Sequence, residues 1–302
     1  MTRILVTGAS GLLGQYLVRH LAAKHSLLCV SRTDNPFADL QNVTYVRADL
    51  TDFAPIKVRL EAFRPEIVFN CAACSDVDRC EEQRDQAHAI NVELVTKLLT
   101  LSFRKLVHYS SDYVFNGENG PYTEDDKPDP INYYGSTKFE SEKVLTDSSR
   151  QGLSDRDHLI IRTSLLYGAL RRDRHNFVAW VIDGLARGEK LEVVDGQFAT
   201  PTFAGNLARA SAEAAFANQS GIMHVAGPDY FSRYEIALRV ARVLGLSESL
   251  LRPVQPDRLR QKARRPSRAG LKSNRAKTIL GTELMGLELG LSSMAEDASR
   301  FL

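Results

Sequence analysis

Short apolar segments alternate with segments of helical periodicity along the first half of the chain. Residues 4–7 have the pattern of a strand, and residues 12–23 place their apolar side chains at the spacing of one helix face. Further helices are indicated near residues 53–63 and 92–102. Strands that alternate with helices predict βαβ units, and right-handed crossovers then give an α/β fold with a doubly wound parallel sheet. The other strand-like runs are residues 27–30, 44–46, 67–70, 106–109 and 159–162.

The second half of the chain is less regular. Prolines between residues 121 and 130 indicate an irregular loop before a helix that begins near Tyr133. Residues 253–268 become basic and contain prolines, which predicts a second loop, with Arg260 among its cations. Helical spacing recurs near residues 177–187, 203–216 and 234–244.

Composition excludes several classes of protein. The 302 residues are 43% hydrophobic and 25% charged, which is typical of a globular chain rather than of a disordered, collagen-like or coiled-coil one. The formal net charge of +2 gives no reason to expect a nucleic-acid partner, and no apolar run is long enough to predict a membrane span. The first residues enter a strand-like run without the pattern of a signal peptide. With four cysteines and no export signal, we expect reduced thiols and a cytoplasmic location.

A glycine-rich turn, GASGLLG, joins the first strand to the first helix. The backbone N–H groups at such a helix N-terminus have no helical acceptor and attract an anion such as a pyrophosphate. The three glycines permit a tight turn, a close approach of the phosphates and close packing of helix on strand. The turn therefore predicts a Rossmann-like dinucleotide site. Its contact residues are Gly8, Ser10, Gly11, Leu12, Leu13 and Gly14.

The end of the second strand indicates which dinucleotide binds. It carries Ser31 and Arg32 instead of the acidic residue that would bind a ribose 2′-hydroxyl, and a guanidinium can pair with a 2′-phosphate. This favours NADP(H), while NAD(H) stays open because Asp34 could take the acidic role. Further along the same edge, Asp49 and Leu50 are expected beside the adenine. The small residues Cys71, Ala72 and Ala73 follow the fourth strand, where the cofactor would pass.

A serine, a tyrosine and a lysine follow the fifth strand. Tyr134 and Lys138 are four residues apart, so both lie on one face of a helix, whereas Tyr133 lies off that face. A nearby ammonium lowers the pKa of a tyrosine, which would let Tyr134 exchange a proton with a carbonyl/alcohol oxygen. Ser111 at the neighbouring strand end can orient that oxygen, and Lys138 can also hold the nicotinamide ribose. We therefore predict Ser111, Tyr134 and Lys138 as the catalytic set.

These motifs resemble a known family. TGASGLLG, NCAA, YSSDYVFNG and YYGSTK are similar to the extended short-chain dehydrogenase/reductase superfamily, and in particular to its dTDP-4-dehydrorhamnose reductase-like branch. The resemblance extends through IIRTSLLYG and DGQFATPT into the second half of the chain. It implies the same catalytic set and the NADPH-dependent reduction of a nucleotide-linked 4-keto sugar. Such a reaction belongs to nucleotide-sugar metabolism, and dTDP-rhamnose biosynthesis is the pathway that the resemblance implies.

The resemblance also implies a substrate site. A nucleotide-sugar is the expected partner, and a homodimer is compatible with the family. The basic loop is either solvated or a substrate-side loop in which Arg264 or Arg265 meets nucleotide phosphates, and this expectation comes from its charge and not from the resemblance. The residues predicted to bind substrate are Ser75, Val77, Asp112, Tyr113, Asn176, Gln197 and Arg265.

The sequence departs from the branch at informative positions. Ser111 stands where the branch commonly has threonine, which preserves the hydroxyl. Leu165 stands where it commonly has tryptophan, which removes an aromatic wall from the expected sugar pocket. Asp112-Tyr113 replaces the Asp-Glu pair of sugar-nucleotide dehydratases, which argues against dehydration.

Two other functions stay open. One is a sugar-nucleotide epimerase, which would retain its cofactor without net oxidation. The other is a non-catalytic NADP-binding regulatory subunit resembling the β subunit of methionine adenosyltransferase, whose corresponding segment also lacks the tryptophan. Cys71 and Cys74 have no second cysteine pair and no convincing histidine partner, so we predict no metal site.

The motifs also suggest how the chain divides. They place an NADP(H)-binding Rossmann domain in residues 1–167 and a smaller C-terminal substrate lobe in residues 168–302, with residues 200–227 returning to the first domain. We expect the substrate in the cleft between the two, beyond the carboxyl ends of the strands.

Overall fold

A computed structural model of the chain describes residues 1–150, 157–169, 176–259 and 261–301. Arg260 of the basic loop lies outside the described residues. The strands are β1 (Arg3–Thr7), β2 (Ser26–Ser31), β3 (Val43–Arg47), β4 (Ile67–Asn70), β5 (Lys105–Ser111), β6 (Asp157–Thr163), β7 (Leu166–Tyr167), β8 (Leu191–Val194), β9 (Phe198–Ala199), β10 (Thr202–Phe203), β11 (Gly221–His224), β12 (Phe231–Ser232) and β13 (Leu251–Val254). The α-helices are α1 (Leu12–Leu21), α2 (Ala54–Phe63), α3 (Val77–Glu82), α4 (Arg84–His88), α5 (Leu94–Leu98), α6 (Tyr133–Arg150), α7 (Phe177–Ala186), α8 (Ala204–Phe216), α9 (Arg233–Val243), α10 (Asn274–Ile279) and α11 (Leu287–Phe301).

The main sheet has seven strands in the order β11-β6-β5-β4-β1-β2-β3. Every neighbouring pair in it is parallel. The chain builds outward from β1 through β2 and β3 and then returns to the other side of β1 with β4, so the strand order reverses between β1 and β4. In sheets of this type ligands bind beyond the carboxyl ends of the strands at that point. The predicted α/β class and doubly wound parallel sheet are confirmed.

Both faces of the sheet are covered by apolar side chains. Alternate residues of β1 enter different clusters: Ile4 and Val6 pack with α1 and α8, whereas Leu5 packs with α2 and α5 on the opposite face. Because side chains alternate across a strand, a parallel sheet buried on both faces requires continuous apolar strands. The runs in β1, β4 and β5 satisfy this requirement and leave their carboxyl ends as the polar edge.

The region before β5 is more helical than its sequence pattern indicates. The predicted helix at 92–102 is wrong in extent, because helical structure begins with α3 and continues through α4 and a π-turn (Ala89–Glu93) into α5. Asp76 starts it by accepting a hydrogen bond from the Arg79 backbone N–H at 3.0 Å. Only Cys80 is buried in α3 and only Ala87 in α4. With one buried side chain each, these charged helices have no apolar periodicity that the sequence pattern could show.

The C-terminal half adds small sheets and returns to the main one. β8 pairs with β13 and β7 with β10, both parallel, and β9 pairs with β12 in antiparallel fashion. β11 lies beside β6 at the edge of the main sheet. The basic segment predicted as a loop contributes β13 at its start and a short 3-10 turn (Pro256–Arg258). The division of the chain at residue 167 stays a prediction. None of the helices in the described ranges is long and apolar enough to span a membrane.

Candidate active site

The glycine-rich turn packs against the end of β4. Gly8 has a φ of 63°, and a Cβ atom at this position would lie 2.6 Å from the backbone nitrogen of Ala72. A Cβ on Gly14 would lie 2.4 Å from the carbonyl oxygen of Gly8. Gly11 caps α1, and no capping side chain accepts hydrogen bonds from the N–H groups of the first turn. Only glycine allows the close approach at Gly8 and Gly14, and such N–H groups are suited to a dinucleotide pyrophosphate.

The ends of β2 and β3 lie next to this turn. The hydroxyls of Ser10 and Ser31 are 2.5 Å apart, which joins the turn to the end of β2. Arg32 is exposed, and its backbone oxygen accepts a hydrogen bond from Arg47 Nε at 3.1 Å. Asp34, the competing acidic residue, pairs with Arg47 Nη1 at 3.0 Å on the surface. Arg32 is therefore the more available of the two for a cofactor.

Asp49 and Leu50 follow β3 on the same edge. Hydrogen bonds from the Thr51 backbone N–H and hydroxyl, at 2.9 and 2.8 Å, lower the pKa of Asp49. Leu50 is buried and Asp49 exposed. After β4, Cys71 is half-buried, Ala72 buried and Ala73 exposed, and the backbone of Ala72 lies against Gly8 of the turn.

A polar chain crosses the sheet from the turn to α6. Thr7 Oγ1 donates to Asn70 Oδ1 at 2.6 Å, and Asn70 Nδ2 lies 3.1 Å from His108 Nδ1. His108 Nε2 lies 2.9 Å from Ser141 Oγ, which donates to the Lys138 backbone oxygen at 2.7 Å. Burial holds the pKa of His108 well below its ordinary value, so the ring is neutral and structural. This chain fixes the turn of α6 that carries Lys138.

Ser111, Tyr134 and Lys138 come together where β5 meets α6. Ser111 is the last residue of β5, and its hydroxyl makes a polar contact with Tyr134 that acts to lower the pKa of the phenol. Lys138 lies one helical turn after Tyr134 and is 3% exposed. Tyr133 points elsewhere: its ring lies under the Arg84 guanidinium, 4.9 Å away. The structure thus separates the two tyrosines as the spacing predicts.

The electrostatic expectation for Tyr134 is wrong. Burial is the dominant influence and raises the pKa of Tyr134 above its ordinary value, against the lowering effect of Ser111. Burial also lowers the pKa of Lys138 to about 8, with Glu142 acting in the opposite direction. Desolvation disfavours the charged form of both side chains, so Tyr134 is a neutral phenol that can donate its proton.

Asp112 is buried and held by hydrogen bonds. It is 2% exposed and accepts hydrogen bonds from Ser111 Oγ at 3.1 Å, Ser164 Oγ at 2.5 Å and the Gly270 N–H at 3.1 Å. Burial raises its pKa even against these donors. Asp112 therefore orients Ser111 and holds the segment around Gly270, and its assignment to the substrate site stays a prediction.

The other residues expected to bind substrate are spread along one side of the cleft. Ser75 is exposed, and Val77 begins α3 half-buried. The ring of Tyr113 meets that of Tyr134 edge-to-face, with centroids 5.8 Å apart. Arg265 pairs with Asp78 at 3.0 Å, so α3 already supplies a carboxylate to this guanidinium.

Asn176 and Gln197 have defined structural partners. Asn176 caps α7, with its Oδ1 accepting from the Ala179 N–H at 2.9 Å. Buried Gln197 donates from Nε2 to Gln261 Oε1 at 3.0 Å. Leu165 is in the left-handed region, with a φ of 36°, and packs against the apolar core.

Sequence reasoning missed one cation of this cleft. The guanidinium of Arg233, the first residue of α9, makes a polar contact with the hydroxyl of Tyr113. It also stacks on Phe177, 5.0 Å from the ring centroid. No motif marks this arginine, because its neighbours come from elements far away in the sequence.

Two of the cysteines after β4 form a thiol pair. Cys80 Sγ lies 3.5 Å from Cys74 Sγ, and this hydrogen bond lowers the pKa of Cys74 to about 7. Within the part of the chain that the structure describes, no group of three or more His, Cys, Asp or Glu residues is placed to hold a metal ion.

Comparison with known proteins shows the family. The family model described as the RmlD substrate binding domain matches residues 1–300. A probable low-salt glycan biosynthesis reductase, Agl14, from Haloferax volcanii is 32% identical over 96% of this chain and 96% of its own length. The dTDP-4-dehydrorhamnose reductase of Mycolicibacterium smegmatis is 31% identical over 91% of this chain and 79% of its own. The methionine adenosyltransferase 2 subunit beta of Rattus norvegicus is 30% identical over 92% of this chain and 82% of its own length.

Solved structures agree with the sequence relatives. A hypothetical dTDP-4-dehydrorhamnose reductase from Sulfolobus tokodaii is 35% identical, with a TM-score of 0.79, and the match covers 95% of this chain and 98% of that one. The dTDP-4-dehydrorhamnose reductase of Bacillus anthracis, solved with NADP, is 26% identical, with a TM-score of 0.81. The match covers 98% of this chain and 100% of that one. MoeE5, solved with UDP-glucuronic acid and NAD, is 25% identical over 99% and 100%, with a TM-score of 0.84.

Fold, turn and relatives together define an extended short-chain dehydrogenase/reductase, a class of NAD(P)-dependent oxidoreductases. The chain belongs to the family of the RmlD substrate binding domain, and its relatives include sugar-nucleotide reductases. The predicted superfamily and oxidoreductase class are confirmed. Solved neighbours that hold NADP or NAD support the expected NADP(H) cofactor, with NAD(H) still open.

Proposed function

We propose that this protein is an NADPH-dependent reductase of a nucleotide-linked 4-keto sugar. The observation that carries the proposal is the convergence of Ser111, Tyr134 and buried Lys138 beside the glycine-rich turn. The cofactor, when bound, supplies the hydride. Ser111 orients the sugar carbonyl, and Tyr134 donates its phenolic proton to the oxygen as the alcohol forms. Lys138 holds the nicotinamide ribose, and Asp112 fixes Ser111 through the 3.1 Å hydrogen bond.

The surrounding residues divide between the two ligands. We assign the turn residues from Gly8 to Gly14 and the segment Cys71, Ala72 and Ala73 to the dinucleotide. The residues that we assign to the nucleotide-sugar are Ser75, Val77, Asp112, Tyr113, Asn176, Gln197 and Arg265. We also expect a cytoplasmic location, a homodimer and no nucleic-acid partner, and size-exclusion chromatography tests the homodimer.

Turnover tests the proposal. We expect the protein to oxidise NADPH when dTDP-4-dehydrorhamnose or a related keto sugar is added. Tyr134→Phe removes the proton donor and should lower kcat by about 10²- to 10⁴-fold. Tyr133→Phe is the matched control, because that ring lies under Arg84 and off the site, and it should retain activity. Equal loss in both variants, or full activity in Tyr134→Phe, would contradict the catalytic assignment.

Cofactor preference tests the position of Arg32. Ligands that bind only the native state raise its melting temperature, so NADPH should shift the Tm more than NADH does. Arg32→Ala should reduce the NADPH shift and leave the NADH shift unchanged, because only NADPH carries the 2′-phosphate. Thermal denaturation with each cofactor measures both. Equal shifts in the wild-type protein would remove the argument for NADP(H).

A non-catalytic regulatory subunit is the second candidate. It is favoured by the 30% identity to the methionine adenosyltransferase 2 subunit beta and by Leu165 in place of the branch's tryptophan. Such a protein would bind NADP(H) without consuming it. Cofactor binding without turnover of any keto sugar, together with copurification of an enzyme, would favour this candidate. An epimerase would instead interconvert sugars without net NADPH oxidation.

A further inference from the structure

Arg233 lies in the cleft beside the proposed catalytic residues. It is half-buried, directly after the Ser232 capping box that begins α9. The central carbon of its guanidinium lies over the Phe177 ring, 5.0 Å from the ring centroid. One of its neighbours is the Tyr113 hydroxyl, and the Tyr113 ring in turn meets Tyr134. Arg233 is thus one aromatic ring away from the proposed proton donor.

The carboxylates near Arg233 are already occupied. Asp112, which it influences electrostatically, accepts hydrogen bonds from two serines and from the Gly270 N–H. Asp78 across the cleft pairs with Arg265 at 3.0 Å. Along α9 itself, Arg239 pairs with Glu288 and Arg242 with Glu248. Among the ion pairs of the described residues, none includes Arg233.

A half-buried guanidinium without a carboxylate is costly unless an anion binds to it. The planar fork of arginine matches the oxygens of a phosphate in bidentate fashion. A nucleotide-sugar carries a diphosphate next to the sugar, so an anion would reach this position when the sugar carbonyl meets Tyr134. The contact with the Phe177 ring restricts the guanidinium before the ligand arrives, which reduces the entropy lost on binding.

We propose that Arg233 binds the diphosphate of the nucleotide-sugar. The ligand class rests on the proposed function, but the contact itself can be measured without turnover. Nucleoside diphosphates without a sugar are the suitable probes, because they contain the diphosphate and lack the reacting group. dTDP and UDP share that diphosphate and differ in the base.

Isothermal titration of dTDP and UDP, with NADPH present, tests the inference. Arg233→Gln should weaken the affinity for both nucleotides by about 10- to 100-fold. Arg233→Lys keeps the charge but loses the fork, and it should fall between the wild type and Arg233→Gln. Arg239→Gln is the matched control on the same helix, because Arg239 pairs with Glu288 at 3.1 Å, and it should bind both nucleotides as the wild type does. NADPH affinity should be unchanged in all three variants, which shows that they are folded.

Several results would overturn the inference. The first is that the wild-type protein binds neither nucleotide, and the second is that Arg233→Gln leaves the affinity for dTDP unchanged. The third is that Arg233→Gln weakens the affinity for only one of the two nucleotides, which would place Arg233 at the base. If Arg233→Gln does not fold, unchanged affinity in Arg233→Lys would be decisive in the same way. Unchanged dTDP affinity with a raised KM for the keto sugar would place Arg233 at the sugar and also overturn it. Arg233-dependent binding without turnover would support the inference while contradicting the proposed reductase.

Discussion

At the scale of single residues, Lys138 shows most clearly how burial sets the chemistry of the cleft. The side chain is 3% exposed, and burial lowers its pKa from 10.5 to about 8. Keeping the ammonium charged inside the fold therefore costs stability, of the order of 3 kcal/mol for a shift of this size. A residue retained at that cost fits a role in ligand binding, since the anionic cofactor would compensate the charge.

Replacing Lys138 tests this cost through its dependence on pH. The folded pKa lies below the unfolded one, so the destabilisation is full below about pH 8 and disappears as the pH rises toward 10.5. Lys138→Met should therefore raise the free energy of unfolding by up to about 3 kcal/mol at pH 7, and the gain should shrink at pH 10. Urea unfolding at the two pH values measures it. Lys143→Met, on the exposed side of α6, is the control; a gain independent of pH would contradict the account.

Single residues also mark where sequence reasoning ends. The spacing of Tyr134 and Lys138 and the glycines of the turn are visible in the sequence because their chemistry is local. The role of Arg233 is not visible in the sequence, because its contact with Tyr113 depends on how α9 packs against distant elements. The hydrogen bond from the Gly270 N–H to Asp112 could not be predicted for the same reason, because Gly270 lies far along the chain.

At the scale of elements, the turn between β1 and α1 depends on glycine for two separable reasons. Gly8 combines a φ of 63° with backbone atoms of Ala72 that a Cβ would approach to 2.6 Å. Gly188, after α7, has a similar φ of 73° but nothing within 4 Å of its Cβ position. The pair therefore separates backbone strain from steric overlap.

Alanine at each position should reveal the difference. Gly188→Ala should cost about 1 kcal/mol from the left-handed backbone alone. Gly8→Ala should cost about 3 kcal/mol or more, because overpacking against Ala72 adds to the strain, and it should weaken NADPH binding as well. Urea unfolding and NADPH titration measure the two effects. Equal losses of stability would show that the turn and β4 do not approach each other as described.

Elements with a clear hydrophobic pattern could be predicted from the sequence, and elements whose apolar residues are few among charged ones could not. Buried strands such as β1 and β5 have continuous apolar runs, and α1 has a clear apolar face. The helices α3 and α4 each bury a single side chain, so their charged sequences resemble a solvated loop. The polar cap of Asp76 was the one local signal that could have indicated the start of α3.

At the scale of the whole molecule, the strand order explains why residues far apart in sequence share one cleft. The reversal between β1 and β4 brings the glycine-rich turn, the segment after β4 and the end of β5 to one edge. The sequence predicted the parallel sheet and the return of residues 200–227 to it, but not the pairing of β11 with β6, because strand neighbours depend on long-range packing. The proposed reduction depends on the residues, the elements and the strand order together.

Transfer of isotope tests the proposed reduction most directly. NADPH carrying deuterium at the transferable position of the nicotinamide would be incubated with the protein and dTDP-4-dehydrorhamnose or a related keto-sugar nucleotide. We expect mass spectrometry to find the deuterium on the carbon of the sugar that bore the carbonyl. Cofactor that binds but keeps its deuterium with every keto-sugar nucleotide supplied would contradict it.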